Sequence, residues 1–95
     1  MELRHLRYFI AVASNLSFSE ASRRLHVEQT AIRLTILDLE REIGAKLLSR
    51  TSREVELTPA GKAFLTEAQE IMLCADGART AALRASRGET GCLRI

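Results

Sequence analysis

Three observations in this 95-residue chain predict a mainly α fold, with a three-helix body, a two-stranded β wing and one long helix at the end. Two apolar periods lie only a few residues apart, near 18–25 and 29–43, so two helices must cross steeply at a tight joint. An alternating stretch over 51–57 then predicts a small ribbon. Finally, Thr58-Pro59 opens a repeat of spacings four and three that requires a helix of about thirty residues, ~45 Å long.

Each element has its own justification. Leu3, Leu6, Phe9, Ile10 and Ala13 recur at three and four and predict a first amphipathic helix over about 3–14 that covers the next two. Ser17-Phe18-Ser19-Glu20 places a serine three residues before a glutamate, which predicts a reciprocal capping box at the start of the second helix. Ala21 and Leu25 carry its buried face, and it stops at His26-Val27. Val27, Ile32, Ile36, Leu39 and Ile43 define the buried face of the third helix, which Gly44 ends. In the ribbon, Val55 and Leu57 are expected to face in, Glu54 and Glu56 to face out, and the tip to lie near Ser52 and Arg53.

The last helix has an N-cap at Thr58 and proline at its first position, and is expected to reach about Arg87. Phe64, Ala68, Ile71, Ala75, Ala78, Ala82 and Ala85 form a mostly alanine heptad seam that permits close approach of a second helix. Leu65, Met72 and Leu83 flank it. Phe64 and Leu65 are expected to pack on the chain's own body, while the distal half needs a partner, because a body of under sixty residues does not cover such a length. Gly77 interrupts the seam at a cost of ~1 kcal/mol against alanine and is read as a bend or a close contact. Arg87-Gly88-Glu89-Thr90-Gly91 is rich in turn formers, and Cys92-Leu93-Arg94-Ile95 resembles the first strand of a following domain. The expected division is 1–57 for the winged body, 58–87 for the linker and dimerisation helix, and 88–95 for the start of a further domain absent from this chain.

Composition narrows the function. A single domain of this size sits near the lower limit for stability alone. No apolar stretch approaches the ~20 residues of a membrane span, and Met1-Glu2-Leu3-Arg4 lacks a secretory pattern, so a cytoplasmic protein is expected, with no membrane partner. The net charge of +2 is too small to argue for nucleic acid by itself. Arginine, however, supplies twelve of the fourteen cations, and its planar fork suits phosphate and guanine. Cys74 and Cys92 are eighteen apart with His5 and His26 far upstream, so no metal site and no cofactor are expected, and neither cysteine is assigned a role. A phosphate loop, a nucleophile elbow and paired catalytic groups are all missing, so an enzyme is not expected.

Two helices joined this tightly, followed by a ribbon, make a winged helix-turn-helix, whose first motif helix braces on phosphates while the second lies in the major groove. With Ile32, Ile36 and Leu39 buried, Gln29, Thr30, Arg33, Leu34 and Leu37 face out. Gln29 matches adenine, Arg33 matches guanine, and Thr30 or Leu34 packs on a thymine methyl. Leu34 and Leu37, as outward leucines, are expected to touch DNA, a neighbouring helix or another subunit. Arg50 and Arg53 belong to the wing, and Ser17, Ser19 and Ser22 with Arg23 lie where the first motif helix meets backbone.

Four blocks in order, Leu3-Arg4-His5-Leu6-Arg7-Tyr8-Phe9, Ala21-Ser22-Arg23-Arg24-Leu25-His26-Val27, Leu39-Glu40-Arg41-Glu42-Ile43-Gly44 and Leu57-Thr58-Pro59-Ala60-Gly61, closely resemble the amino-terminal domain of LysR-type transcriptional regulators. The resemblance covers essentially the whole chain. It implies a bacterial, nucleoid-associated regulator that binds double-stranded DNA at a dyad-symmetric promoter site. It also implies a homodimer through antiparallel linker helices, tetramers of the full-length protein, and a small-molecule inducer taken only by the absent sensing domain. Arg50 matches a family position that contacts DNA near the strand start.

The chain departs from the family pattern on its reading surface. Glu28 stands where serine is usual, Thr30 where proline is usual, and Arg33-Leu34-Thr35 where Ser-Arg-Gln is usual. Leu16 replaces the usual glycine and Leu48 a frequent phenylalanine, both read as tolerated core or turn changes. The rival reading is a winged-helix dimerisation or protein-interaction module with weakened DNA specificity, using Leu34 and Leu37 as its patch.

Overall fold

The computed structural model describes residues 1–50 and 55–88, with the side chain of Arg50 excepted. The expected wing tip at Ser52 and Arg53, and the segment containing Cys92, lie outside the described residues. The element order is α1 (Leu3–Asn15), α2 (Phe18–Leu25), α3 (Gln29–Ile43), β1 (Leu48–Arg50), β2 (Val55–Leu57) and α4 (Pro59–Ser86). This is the mainly α architecture with a two-stranded wing that the sequence predicts.

α1 buries Leu6, Phe9, Val12 and Ala13, the stripe expected from spacings of three and four. Its first turn is tied by His5, whose Nδ1 accepts from the Glu2 amide at 3.0 Å. It ends at Leu16, which adopts φ 50° and ψ 40° and is half exposed. Leu16 is therefore a turn residue rather than a core residue, held in a left-handed conformation that costs an L side chain about 1 kcal/mol.

α2 starts as a half-formed capping box. Ser17 Oγ accepts from the Glu20 amide at 3.1 Å, but the Glu20 carboxylate turns away to Arg23 and Arg24 instead of returning to the cap. Two nearby cations outcompete one backbone amide for an exposed carboxylate. The joint to α3 is three residues long. His26 takes φ 57°, and the Ser22 hydroxyl donates to the Val27 carbonyl at 2.5 Å, which fastens the turn.

α3 buries Ile32, Ile36 and Leu39 as expected, but the ends of that stripe differ. Val27 is only partly buried, and Ile43 is 40% exposed where the helix runs past the body. Glu40 is buried in its place. Gly44 closes α3 at φ 87°, a value only glycine adopts without strain, and donates to the Glu40 carbonyl at 2.8 Å.

The strands are antiparallel, with Leu48 opposite Leu57, Ser49 opposite Glu56 and Arg50 opposite Val55. The strands at Leu48–Arg50 and Val55–Leu57 lie on either side of the expected tip near Ser52 and Arg53. Val55 and Leu57 pack partly against the core, and Glu56 faces out, as expected.

Thr58 caps α4: its Oγ1 accepts from the Gly61 amide at 2.9 Å and donates to the Lys46 carbonyl at 2.6 Å. The proximal part of α4 closes the body. Phe64 meets Phe9 edge to face with centroids 5.3 Å apart, and Ala68 is fully buried. At Gly61 a Cβ would stand 2.0 Å from the Leu47 carbonyl oxygen, so only glycine fits. Gly77 has no atom within 4 Å of such a Cβ, so the close contact expected there does not occur within this chain. Met72 and Ala75 are still half-buried, and from Asp76 onward the helix is exposed; the long dimension of the chain is 55 Å. No helix among the described residues is long and apolar enough to cross a membrane.

Candidate nucleic-acid interface

The outward face of α3 carries the polar groups that the sequence singles out. Gln29, Thr30, Arg33 and Leu34 are all exposed along its first two turns, whereas Leu37 is half-buried. Leu34 is 59% exposed, a large apolar side chain standing in solvent beside Arg33. Leu37 instead lines a groove with Glu40, Arg41, Gly44, Ala45 and Lys46 at the far end of the helix. The two leucines therefore do not make one patch of equal exposure.

Arg33 is oriented by a contact that local pattern does not reveal. Its guanidinium carbon lies 4.2 Å from the centroid of the Phe18 ring. Phe18 is buried at the first position of α2, so its upper face forms a fixed platform for the cation. A stacked guanidinium keeps its donor edge free while losing rotamer freedom, which reduces the entropy cost of a later hydrogen bond. Glu28, the residue before α3, makes no side-chain cap, in keeping with its being a poorer cap than serine. Thr35 turns back onto its own helix, donating to the Ala31 carbonyl at 2.8 Å.

The start of α2 lies beside this face. Ser17 and Ser19 have their hydroxyl oxygens 3.2 Å apart. Arg23 and Arg24 both pair with the Glu20 carboxylate, Arg24 Nε at 3.0 Å. The two guanidiniums hold the Glu20 carboxyl below its ordinary range. Arg23 is thus available to phosphate only in competition with, or alongside, its own glutamate. That pairing was legible in spacings of three and four, but Glu20 in a capping pattern reads first as a cap.

Arg50 ends β1, opposite Val55, which places its backbone at the wing. Arg53 lies outside the described residues. Of the seam residues, Phe64 packs on the chain's own core, as expected, and Ala68 is fully buried there as well, which corrects the place of Ala68 in an intermolecular seam. Ala75 is half-buried, whereas Ile71, Ala78, Ala82 and Ala85 are exposed. Met72 is half-buried and Leu83 exposed among the flanking residues. Cys74 is a free, exposed thiol on α4. Among the described residues no group of three or more His, Cys, Asp and Glu is placed to hold a metal ion.

A short brace helix, a three-residue joint, a helix with an exposed polar start and a two-stranded ribbon define a winged helix-turn-helix domain. Residues 3–62 match the family described as the bacterial regulatory helix-turn-helix proteins of the lysR family, and the chain belongs to that family. It is 50% identical over all 95 residues to the HTH-type transcriptional regulator YnfL of Escherichia coli (strain K12), of which it covers 32%. It is 44% identical over the same span to the HTH-type transcriptional regulator TfdT of Cupriavidus pinatubonensis (strain JMP 134 / LMG 1197), covering 42% of that protein. Among solved structures, the BenM DNA-binding domain in complex with benA site 1 DNA superposes with a TM-score of 0.88 at 40% identity. That match covers 93% of this chain and 99% of the BenM chain. The chain spans roughly a third to two fifths of the length of these curated relatives.

Proposed function

We propose that this chain reads double-stranded DNA as the sequence-specific head of a bacterial transcription regulator, with α3 in the major groove. The observation that carries this reading is the exposed start of α3, where Gln29, Thr30, Arg33 and Leu34 stand together and Arg33 is already held on Phe18. Gln29 fits adenine, Arg33 guanine, and Thr30 or Leu34 a thymine methyl. Ser17, Ser19 and Arg23 at α2 contact phosphate, Leu37 borders the groove end of α3, and Arg50 and Arg53 bring the wing to the backbone or the minor groove. That the similar BenM domain was solved in complex with DNA supports DNA as the partner. The reaction is binding, with no catalytic step, and it takes place in the bacterial cytoplasm where the chromosome lies.

The reading divides the chain into a winged head at 1–57, a linker helix at 58–87 and the lead into a further domain at 88–95. Ile71, Ala75, Ala78, Ala82 and Ala85 form the seam of a homodimer on a dyad-symmetric site. Tetramers and a small-molecule inducer belong to the longer protein.

Fluorescence anisotropy against randomised and dyad-containing duplexes at several salt concentrations tests this. Affinity should fall with salt by a slope of about 0.9 per neutralised phosphate, with a sequence preference that survives competitor DNA. Releasing Arg23 and Arg24 by Glu20→Gln should steepen that slope. A chain that binds no duplex at any salt sinks the reading. The exposure of Leu34 favours a second reading, a protein-docking face, and Leu34→Asp separates the two: loss of DNA binding supports the first, loss of a protein contact alone the second.

A further inference from the structure

We infer that Glu40 is a positioning residue that sets the wing against α3, and thereby decides how Arg50 meets DNA while the start of α3 occupies the groove. This rests on the DNA-reading proposal above.

Glu40 lies on the face of α3 that the core covers, one turn beyond Ile36, and is only 6% exposed. A residue that merely filled this place would be apolar, because a buried carboxylate is costly unless it is bonded. Its Oε2 accepts from two consecutive amides, Leu47 at 2.8 Å and Leu48 at 3.2 Å. Its carbonyl accepts from Gly44 at 2.8 Å and Ala45 at 3.3 Å. One residue therefore grips both ends of the connection from α3 to β1.

The opposite side of the same segment is held by the cap of α4. The Thr58 amide donates to the Leu47 carbonyl at 3.1 Å, and its hydroxyl donates to the Lys46 carbonyl. A ribbon of two three-residue strands does not hold its own angle in water, so its direction is set by these anchors. Among the described residues, Glu40 is the one whose side chain ties this segment to α3. Its other oxygen, Oε1, is buried without a hydrogen-bond partner. Glu40 shares the lining of a groove of about 410 Å³ with Arg41 and Lys46. Charge-assisted bonds to backbone amides are about twice as strong as neutral ones, so this residue type holds the joint more firmly than a neutral acceptor would.

The test compares salt slopes of DNA binding for the 95-residue chain carrying Glu40→Asp, Glu40→Gln, Arg50→Ala and the Glu40 variants combined with Arg50→Ala. Aspartate keeps the charge but falls one methylene short of the amides, while glutamine keeps the reach and loses the charge. Circular dichroism establishes the folded fraction of each, and binding is referred to it. The expected result is a folded Glu40→Asp chain whose salt slope drops by about one, the share of one phosphate contact. Adding Arg50→Ala should then change little, because the two act as one unit. Glu40→Gln should fall between wild type and aspartate. Should aspartate prevent folding, the same non-additivity with Arg50→Ala is read in glutamine. A residue that only stabilises the fold would lower the melting temperature yet leave slope and additivity unchanged, and that result overturns the assignment. A wild-type chain that binds no DNA overturns both readings, whereas binding with wild-type slopes in the folded Glu40 variants overturns this one alone.

Discussion

Gly61, Phe64 and Ala68, on the proximal part of α4, lie against Leu47, Phe9 and the core, whereas Ala78, Ala82 and Ala85 further along have no cover from this chain. Both stretches share one helix and one apolar period. The period states which side of a helix is apolar; it does not state what meets that side. The proximal part finds its partner in α1 and the turn before β1, and the distal part projects beyond them. Gly61 and Gly77 condense the contrast, since a side chain at the first would collide with backbone and at the second would meet nothing.

Substitutions along α4 sharpen this difference. Gly61→Ala should have the largest effect, about 3 kcal/mol of stability, because the obstructing atom is a backbone carbonyl that cannot swing aside. Urea denaturation measures it, and a loss under 1 kcal/mol would mean the α4 contact is looser than described. Phe64→Ala should cost about 2–3 kcal/mol through lost contact with Phe9, read from the same transition. Gly77→Ala should act in the opposite direction and stabilise by about 1 kcal/mol, as expected for a helix interior with open space around it. If it destabilises instead, the distal half is already packed against something in solution. The smallest effect on the fold belongs to Ala78→Arg with Ala82→Arg, which should leave helicity nearly unchanged while light scattering shows a dimer becoming a monomer. A double variant that stays dimeric would place the contact on another face.

The reading surface offers a second contrast. The exposure of Gln29, Thr30, Arg33 and Leu34 was legible, because a buried stripe at Ile32, Ile36 and Leu39 leaves them no other side to face. What holds Arg33 was not. Its platform, Phe18, is fifteen positions earlier on another helix, and no periodic pattern relates the two. Likewise Ser17-x-x-Glu20 located the start of α2 correctly, yet the carboxylate chose Arg23 and Arg24 over the cap. A local motif identifies a helix start by its favourable geometry, but an exposed side chain goes to whichever partner is nearest and charged.

Glu40 marks the limit of sequence reading in this chain. Counted along α3 it falls on the buried face, but its charge makes solvent the expected surroundings. Only the return of the chain at Leu47 and Leu48 supplies two amides that make burial tolerable.

By itself, the sequence determined the order of the helices, the tight joint at His26, the glycine stop at Gly44, the cap at Thr58 and the presence of a long apolar-sided helix. These depend on interactions within one or two turns, which spacing records directly. Tertiary structure alone decided that Glu40 is inside, that Gly61 admits no side chain, that Arg33 stacks on Phe18, and that the part of α4 from Ala78 onward has no cover from the body. Each of those depends on what a distant segment places alongside, and such proximity is created by packing rather than by the pattern of residues along the chain.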